Sequence, residues 1–376
     1  MSTLDTLKAL ADITDVGLFE RLATEVLRIA NPLCAELSQP GVNVDGKTRK
    51  GPLDAIGFVS GANPPHLIAV HHTTTDILKL AGKWLSDPAT AKPQRRGSKS
   101  TVPAGDLIKT AELVAKERLR TPDLQATLFL TTNEEPSEQL ILDVNAAAVA
   151  RGLNVSVWSR SQLAHVLDTD PTGQWIRRTY LGIEQERLSE DLLRELLCKN
   201  FDAFRLQDDP LARVSRNVER LVAATHRPVT FLFAGSGSGK SVLCYRVAEA
   251  HRNAGAKSLF ISHETIERVT TLEQAISETI RHLYPALAAS ESPLTFCSEE
   301  RPLLVVVEDV NRSGQPQRLI EKIAKWANSS PPNGASSRLW RLICPISPQI
   351  MSGMDDQTGG FNRSLQHLPE VYPLGF

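Results

Sequence analysis

Residues 231–248 read FLFAGSGSGKSVLCYRVA, and the fold of the second half of the chain follows from this stretch. The run before it, PVTFLFA, is short, apolar and rich in β-branched and aromatic residues, the signature of a buried strand. Gly235, Gly237 and Gly239 let successive backbone N–H groups converge on anionic oxygens without a Cβ in the way. Lys240 follows, then Ser241, and an amphipathic helical pattern runs on towards Gly255. A helix starting at Lys240 adds its N-terminal dipole to the attraction for an anion. Residues Ala234, Gly235, Ser236, Gly237, Ser238, Gly239, Lys240 and Ser241 are therefore the candidate phosphate cradle. Lys240 is placed to reach β- and γ-phosphates, and the Ser241 hydroxyl to ligate Mg²⁺. A Gly/Ser linker can spell the same letters, but a linker is not flanked by a buried strand and an amphipathic helix.

Working outward, strands and helices alternate: KSLFISH, the helix TLEQAISETIRHLY, LLVVVEDV, the helix PQRLIEKIAKWAN, RLWRLICPI and finally VYPLGF, read as a fifth core strand. Short β-branched runs separated by helices predict a parallel sheet covered on both faces. The run LLVVVEDV ends in Glu308 and Asp309, and acids at the carboxyl end of a central parallel strand lie on the ligand edge of the sheet. Glu308 is the candidate Mg²⁺ ligand and Asp309 the candidate group for orienting an attacking water. The helix over residues 189–206 and a second over 217–224 flank a junction near 207–210.

AGSGSGKS and LLVVVEDV, in this strand order, resemble the P-loop NTPases that carry an additional strand between the two motif-bearing strands. Among these the chain is most similar to the STAND class, the signal-transducing ATPases of innate immunity and bacterial defence. The resemblance covers residues 210–376 and implies ATP as nucleotide, with Mg²⁺. The class often ends its fourth strand in a polar or arginine sensor, and here Ser347 is the nearby candidate. It also implies a helical lid, a winged-helix domain and a sensor region after the fifth strand. No such segments follow VYPLGF, so the expectation is a fragment, or a minimal form completed by a partner chain or a homo-oligomer.

In the first half, LFERLATEVLRIA sets Leu18, Leu22, Val26 and Ile29 at helical spacing, with Thr14 or Asp15 as cap. Strand-like LDAIGFVS and HLIAVHHTTT follow, then a helix over 104–119, the strand QATLFLTT, a helix through DVNAAAVARG and the strand NVSVWS. A helix, an Asp on a strand and a second strand with polar residues at its end resemble the restriction-endonuclease-like PD-(D/E)XK fold. That resemblance implies a metal-dependent nuclease acting on DNA, with Asp54 as metal ligand and catalytic group. His71 stands where a second carboxylate is expected, and Thr73 where a lysine is expected. Glu20 is a candidate supplementary carboxylate, and Lys79 or Lys83 a candidate lysine from the next helix. Lys47, Arg49, Lys50, Arg95, Arg96 and Lys99 are candidate phosphate contacts. A polar edge strand with solvated basic loops is the alternative, and Trp158 and Trp175 read as packing residues.

The expected architecture is α/β: a restriction-endonuclease-like domain over residues 1–182, a helical connector over 183–209 and a P-loop NTPase parallel-sheet core over 210–376. The 376 residues, 41% hydrophobic and 23% charged, suit two domains. A net charge of −1 excludes a uniformly basic nucleic-acid coat while leaving room for a local patch. Five scattered cysteines without a CxxC pair, no signal-peptide pattern and no membrane-length apolar run point to a cytoplasmic protein with no membrane partner. Two functions remain: a nucleotide-controlled nuclease effector of defence, or a regulatory ATPase whose first domain only binds DNA or protein. A kinase using the same loop would need an acceptor pocket and lid, for which the sequence offers no segment.

Overall fold

Seven consecutive residues of one strand, Leu67 to Thr73, are buried, as are seven of another, Ala126 to Thr132. Side chains alternate between the faces of a strand, so uninterrupted burial means that both faces are covered. The computed structural model describes residues 3–38, 53–89, 102–204, 228–288, 291–328, 338–350 and 371–373, and the chain divides into two compact units, Met1–Gln185 and Glu186–Phe376. Both units are mixed α/β with largely parallel sheets. Among the described residues no helix is long and apolar enough to cross a membrane.

The first unit runs α1 (Thr3–Ala11), α2 (Val16–Ala30), β1 (Ala55–Phe58), β2 (His66–Thr73), α3 (Ile77–Leu85), α4 (Asp106–Arg118), β3 (Gln125–Thr132), α5 (Glu138–Val149), β4 (Asn154–Trp158), α6 (Arg160–Thr169) and α7 (Pro171–Leu181). Its sheet has the order β1-β2-β3-β4, with β1 antiparallel to β2 and the remaining pairs parallel. Asp15 caps α2 by accepting from the Leu18 N–H, one of the two caps expected. Leu67, Ala69, Leu128 and Leu130 pack with Trp84 of α3, Leu107 of α4 and Val144 of α5. The alternate residues Ile68, Val70 and Phe129 pack with Leu27 of α2 on the other side. Trp158 packs against the α2 clusters, as a packing residue should.

Polar side chains also enter this core, and His72 is one of them. The His72 ring is held between the Thr131 hydroxyl (Nδ1, 2.6 Å) and the Thr24 hydroxyl (Nε2, 2.9 Å). A neutral imidazole donates through one nitrogen and accepts at the other, so both are satisfied without charge. The contact ties α2 to β2 and β3.

The second unit holds α8 (Glu190–Ala203), β5 (Val229–Phe233), α9 (Lys240–Asn253), β6 (Ser258–Ser262), α10 (His263–Arg268), α11 (Leu272–Leu283), β7 (Leu303–Glu308), α12 (Pro316–Asn328), β8 (Trp340–Ile346) and β9 (Val371–Pro373). All its strand pairs are parallel, in the order β6-β7-β8-β5-β9, so β8 lies between β5 and β7. The boundary at 185/186 builds α8, read from sequence as part of a connector, into this unit. The Asn200 side chain accepts from the Phe260 N–H (2.8 Å) and donates to the Phe260 carbonyl (3.0 Å), doing for edge strand β6 what a neighbouring strand would do. Phe201 sits in the core beside Leu232, Tyr245 and Phe260. The expected junction near 207–210, the helix over 217–224 and the basic residues at 47–50 and 95–99 lie outside the described residues.

Burial drives the His72 imidazole down to about 4, with Asp54 opposing and His71 assisting. The unfolded chain, near the ordinary value of 6.5, binds a proton there that the folded unit refuses. Stability is therefore full above pH 6.5 and is lost as pH falls towards 4, by about 3 kcal/mol from this group. Urea unfolding of the chain at intervals from pH 4 to 7 should show this slope, and His72→Gln, which keeps both hydrogen-bonding ends, should flatten it.

Candidate functional site

Each unit gathers its chemistry at strand ends. In the second unit, β5 runs into the glycine loop at Ala234, whose N–H extends the ladder to the Ile346 carbonyl of β8. Gly237 and Gly239 have φ of 76° and 79°, a left-handed conformation that a Cβ strains. These turns bring the chain round so that the Ser238 hydroxyl donates to the Gly235 carbonyl (2.8 Å). Gly239 is the N-cap of α9 and has no side chain with which to cap it, which leaves the first-turn N–H groups of the helix at the loop. Lys240 Nζ donates to the carbonyls of Ala234 and Gly235, both at 2.7 Å, folding the ammonium back over the loop. Burial lowers the Lys240 pKa, with the charge of the Cys244 thiolate form opposing. Ser241 is exposed in the first turn of α9.

Glu308 closes β7, level with Ser262 of β6. Burial and then the neighbouring Asp309 push the Glu308 carboxyl up to about 7, while Arg312 pulls the other way. β5, β8 and β7 run parallel, so Glu308 at the end of β7 lies on the same edge of the sheet as the glycine loop after β5. Asp309 takes a left-handed φ of 54°, rare for a residue with a Cβ, and its exposed carboxylate pairs with Arg312 at 3.2 Å. Beyond β8, the Ser347 N–H donates to the Asn311 side chain (3.0 Å), joining the ends of β8 and β7. Asn311 was not singled out in the sequence. The loop suits an anion with several oxygens, and Ser241 with Glu308 could supply hard oxygen donors for a divalent cation beside it.

In the first unit Asp54 sits just ahead of β1. Its N–H donates to the Val70 carbonyl (3.0 Å), and its carboxylate accepts from the His72 N–H (2.8 Å). The register of β1 on β2 carries Asp54 opposite His71, whose Nδ1 is 3.6 Å from the carboxylate. Burial raises the Asp54 pKa, but the contact with His71, the His72 N–H and the charges of both rings outweigh it and hold the group below its ordinary range. Glu20, on α2, is raised first by burial and then by the charge of Asp54. The Thr73 hydroxyl donates to that of Thr75 (2.7 Å). Lys79 stands exposed on α3, and the lysine of that helix that joins the cluster is Lys83.

Three further residues belong to the cluster. Asp106, at the start of α4, is buried; its carboxylate lies 3.9 Å from His71 Nδ1, 3.5 Å from Lys83 Nζ and 3.0 Å from Lys109 Nζ. Thr110 donates to the Asp106 carbonyl (2.9 Å), so its oxygen receives the His71 Nε2–H at 3.2 Å. Gly105 makes this possible, because a Cβ there would meet the Trp84 carbonyl at 2.6 Å and hold α4 off the end of α3. The only sequence signal was an acid and a lysine three apart in the first turn of a helix, which usually marks nothing more than a helix start. Among the described residues no three His, Cys, Asp or Glu side chains are gathered to hold a metal. The expected pair of metal-binding carboxylates on adjacent strands is here an Asp facing an imidazole.

No family model matches the chain, and no curated protein matches it.

A carboxyl raised by folding binds a proton in the native state that the unfolded chain releases, so its stabilising contribution is present at low pH and is lost as pH rises through the folded value. For Glu308 that window runs from about its ordinary 4.5 up to about 7. Glu308→Gln should match the parent in stability at pH 5 and exceed it at pH 8, as read by thermal melts across that range.

Proposed function

We propose that this chain is a nucleotide-dependent, defence-type protein in which a P-loop NTPase unit binds ATP and controls a nuclease-like first unit acting on DNA. The observation that carries the reading is the N-terminus of α9 behind a left-handed glycine loop, with Lys240 over it and Glu308 at the end of β7 on the same edge of the parallel sheet. The position of β8 between β5 and β7 supports it, being the strand order that the resemblance to this class implies. ATP as the nucleotide rests on that resemblance.

On this reading the loop N–H groups and Lys240 hold the polyphosphate. Lys240 exchanges its bonds to the Ala234 and Gly235 carbonyls for bonds to phosphate oxygens, which an ammonium favours because the new partners carry full charge. Ser241 and Glu308 are the residues that would hold Mg²⁺, whose chemistry is to neutralise phosphate charge. Asp309 orients water, for which its carboxylate must leave Arg312.

A second reading has a specific observation behind it. Asp54 faces His71, and that donor set is poorer in carboxylates than a metal-dependent nuclease requires. The first unit would then bind DNA or protein without cutting, as the output of the same switch.

Calorimetric titration with ATP and Mg²⁺ should give binding that Lys240→Ala weakens by roughly 10–100-fold, the loss expected when a charge-assisted contact is removed. No binding by the parent chain would defeat both readings. A plasmid-nicking assay with Mg²⁺ or Mn²⁺, with and without ATP, separates them. Cleavage lost in Asp54→Ala supports the nuclease, whereas nucleotide binding without cleavage under any condition supports the binding module.

A further inference from the structure

The nucleotide reading gives no role to the buried carboxyl group at the start of α4. Asp106 is 1% exposed and shares its single charge between two lysines from different helices, Lys83 of α3 and Lys109 of α4, each about two-fifths exposed at 39% and 40%. Its Oδ1 takes the Lys109 hydrogen bond, and among the described residues its Oδ2 has no hydrogen-bond partner, only the Lys83 ammonium at 3.5 Å. A carboxylate removed from water is expensive unless paired, and one cation suffices to pair it. The second lysine leaves the Asp106–Lys83–Lys109 trio with one more cation than anions. His71 connects this arrangement to Asp54, with one ring nitrogen 3.6 Å from one carboxylate and 3.9 Å from the other. Asp54 and Asp106 thus approach the same nitrogen of one imidazole, and Lys83 and Lys109 stand at the Asp106 carboxylate.

We propose that Lys83 and Lys109 form a subsite for a backbone phosphate of DNA, and that buried Asp106 is the positioning residue that holds both ammonium groups beside Asp54. The proposal rests on the first unit acting on DNA and names the residues that grip it. It accounts for Gly105, whose missing Cβ lets the start of α4 reach the end of α3 and so brings the two lysines to one carboxylate. A staple between α3 and α4 would need only one of these lysines.

The sign of one charge change separates positioning from plain electrostatics. Removing a negative charge beside a DNA site strengthens binding if the lysines act only through their summed field. If Asp106 positions them, Asp106→Asn weakens binding although the net charge rises by one. The experiment is fluorescence anisotropy of a labelled duplex oligonucleotide with the full chain, in EDTA to prevent cleavage, over a series of salt concentrations. The expected results are an affinity about tenfold lower for Asp106→Asn and a salt slope reduced by about one for each of Lys83→Ala and Lys109→Ala. Lys116→Ala, an exposed lysine further along α4, should leave the slope as it is.

Tighter binding by a folded Asp106→Asn overturns the positioning role. Unchanged slopes in both lysine variants overturn the subsite while the parent still binds DNA. Failure of the parent to bind the duplex overturns the DNA-acting reading and the proposal with it. Should Asp106→Asn not fold by circular dichroism, the two surface lysine variants, set against Lys116→Ala, decide the subsite alone.

Discussion

Burial of both faces of the central parallel strands is the constraint on which the rest of the structure depends. A strand such as β7, with Leu303 to Val307 all buried, has no face on which a polar side chain can meet solvent. Chemistry is pushed to where the strands end and the chain leaves the sheet. Glu308, the glycine loop after β5 and the Ser347–Asn311 contact after β8 all stand at such ends. In the first unit His71 lies near the end of β2 and Asp54 just before β1, which the antiparallel register brings opposite it.

The glycine loop shows how little is needed beyond that placement. Two left-handed glycines turn the chain, a helix starts without a side-chain cap, and its lysine is satisfied by the loop's own carbonyls. Those two bonds are local, so the ammonium can be released to another acceptor without disturbing the sheet beneath. Glu308 is poised differently, since partial burial and Asp309 favour its protonated form and any cation beside it would compete with that proton.

The first unit solves a harder problem, because its polar groups come from five elements. His72 is the common support. Its ring holds α2 through Thr24, one turn from Glu20, while its backbone N–H holds Asp54. The other face works through Gly105 and Asp106, which gather α3, α4 and the His71 ring. Neighbouring histidines on one strand thus serve opposite faces of the sheet, as the two-residue period of a strand requires. Loss of either support would displace carboxylates whose separation sets what the cluster can bind.

The local periodicities were legible from residues alone: alternating strands and helices, the loop at Ala234–Ser241, the acidic end of β7, the Asp15 cap, and His71 on a strand with Asp54 one residue short of its partner. These are short-range signals, carried by spacing along the chain and by glycine, and they survive without knowledge of partners. Asp106, Lys109, Thr110 and Asn311 gave no such signal, because what distinguishes them is the neighbour each meets across a large separation in sequence. Lys83 rather than Lys79 reaches the cluster for a related reason. Both lie on α3, but only the one near its C-terminal end faces the start of α4. The amphipathic pattern of α8 marked a helix correctly and could not say which sheet it would cover. Composition and periodicity determined the elements and the glycine loop by themselves; burial, register and the approach of α4 to α3, which are properties of the packed chain, decided which charges meet.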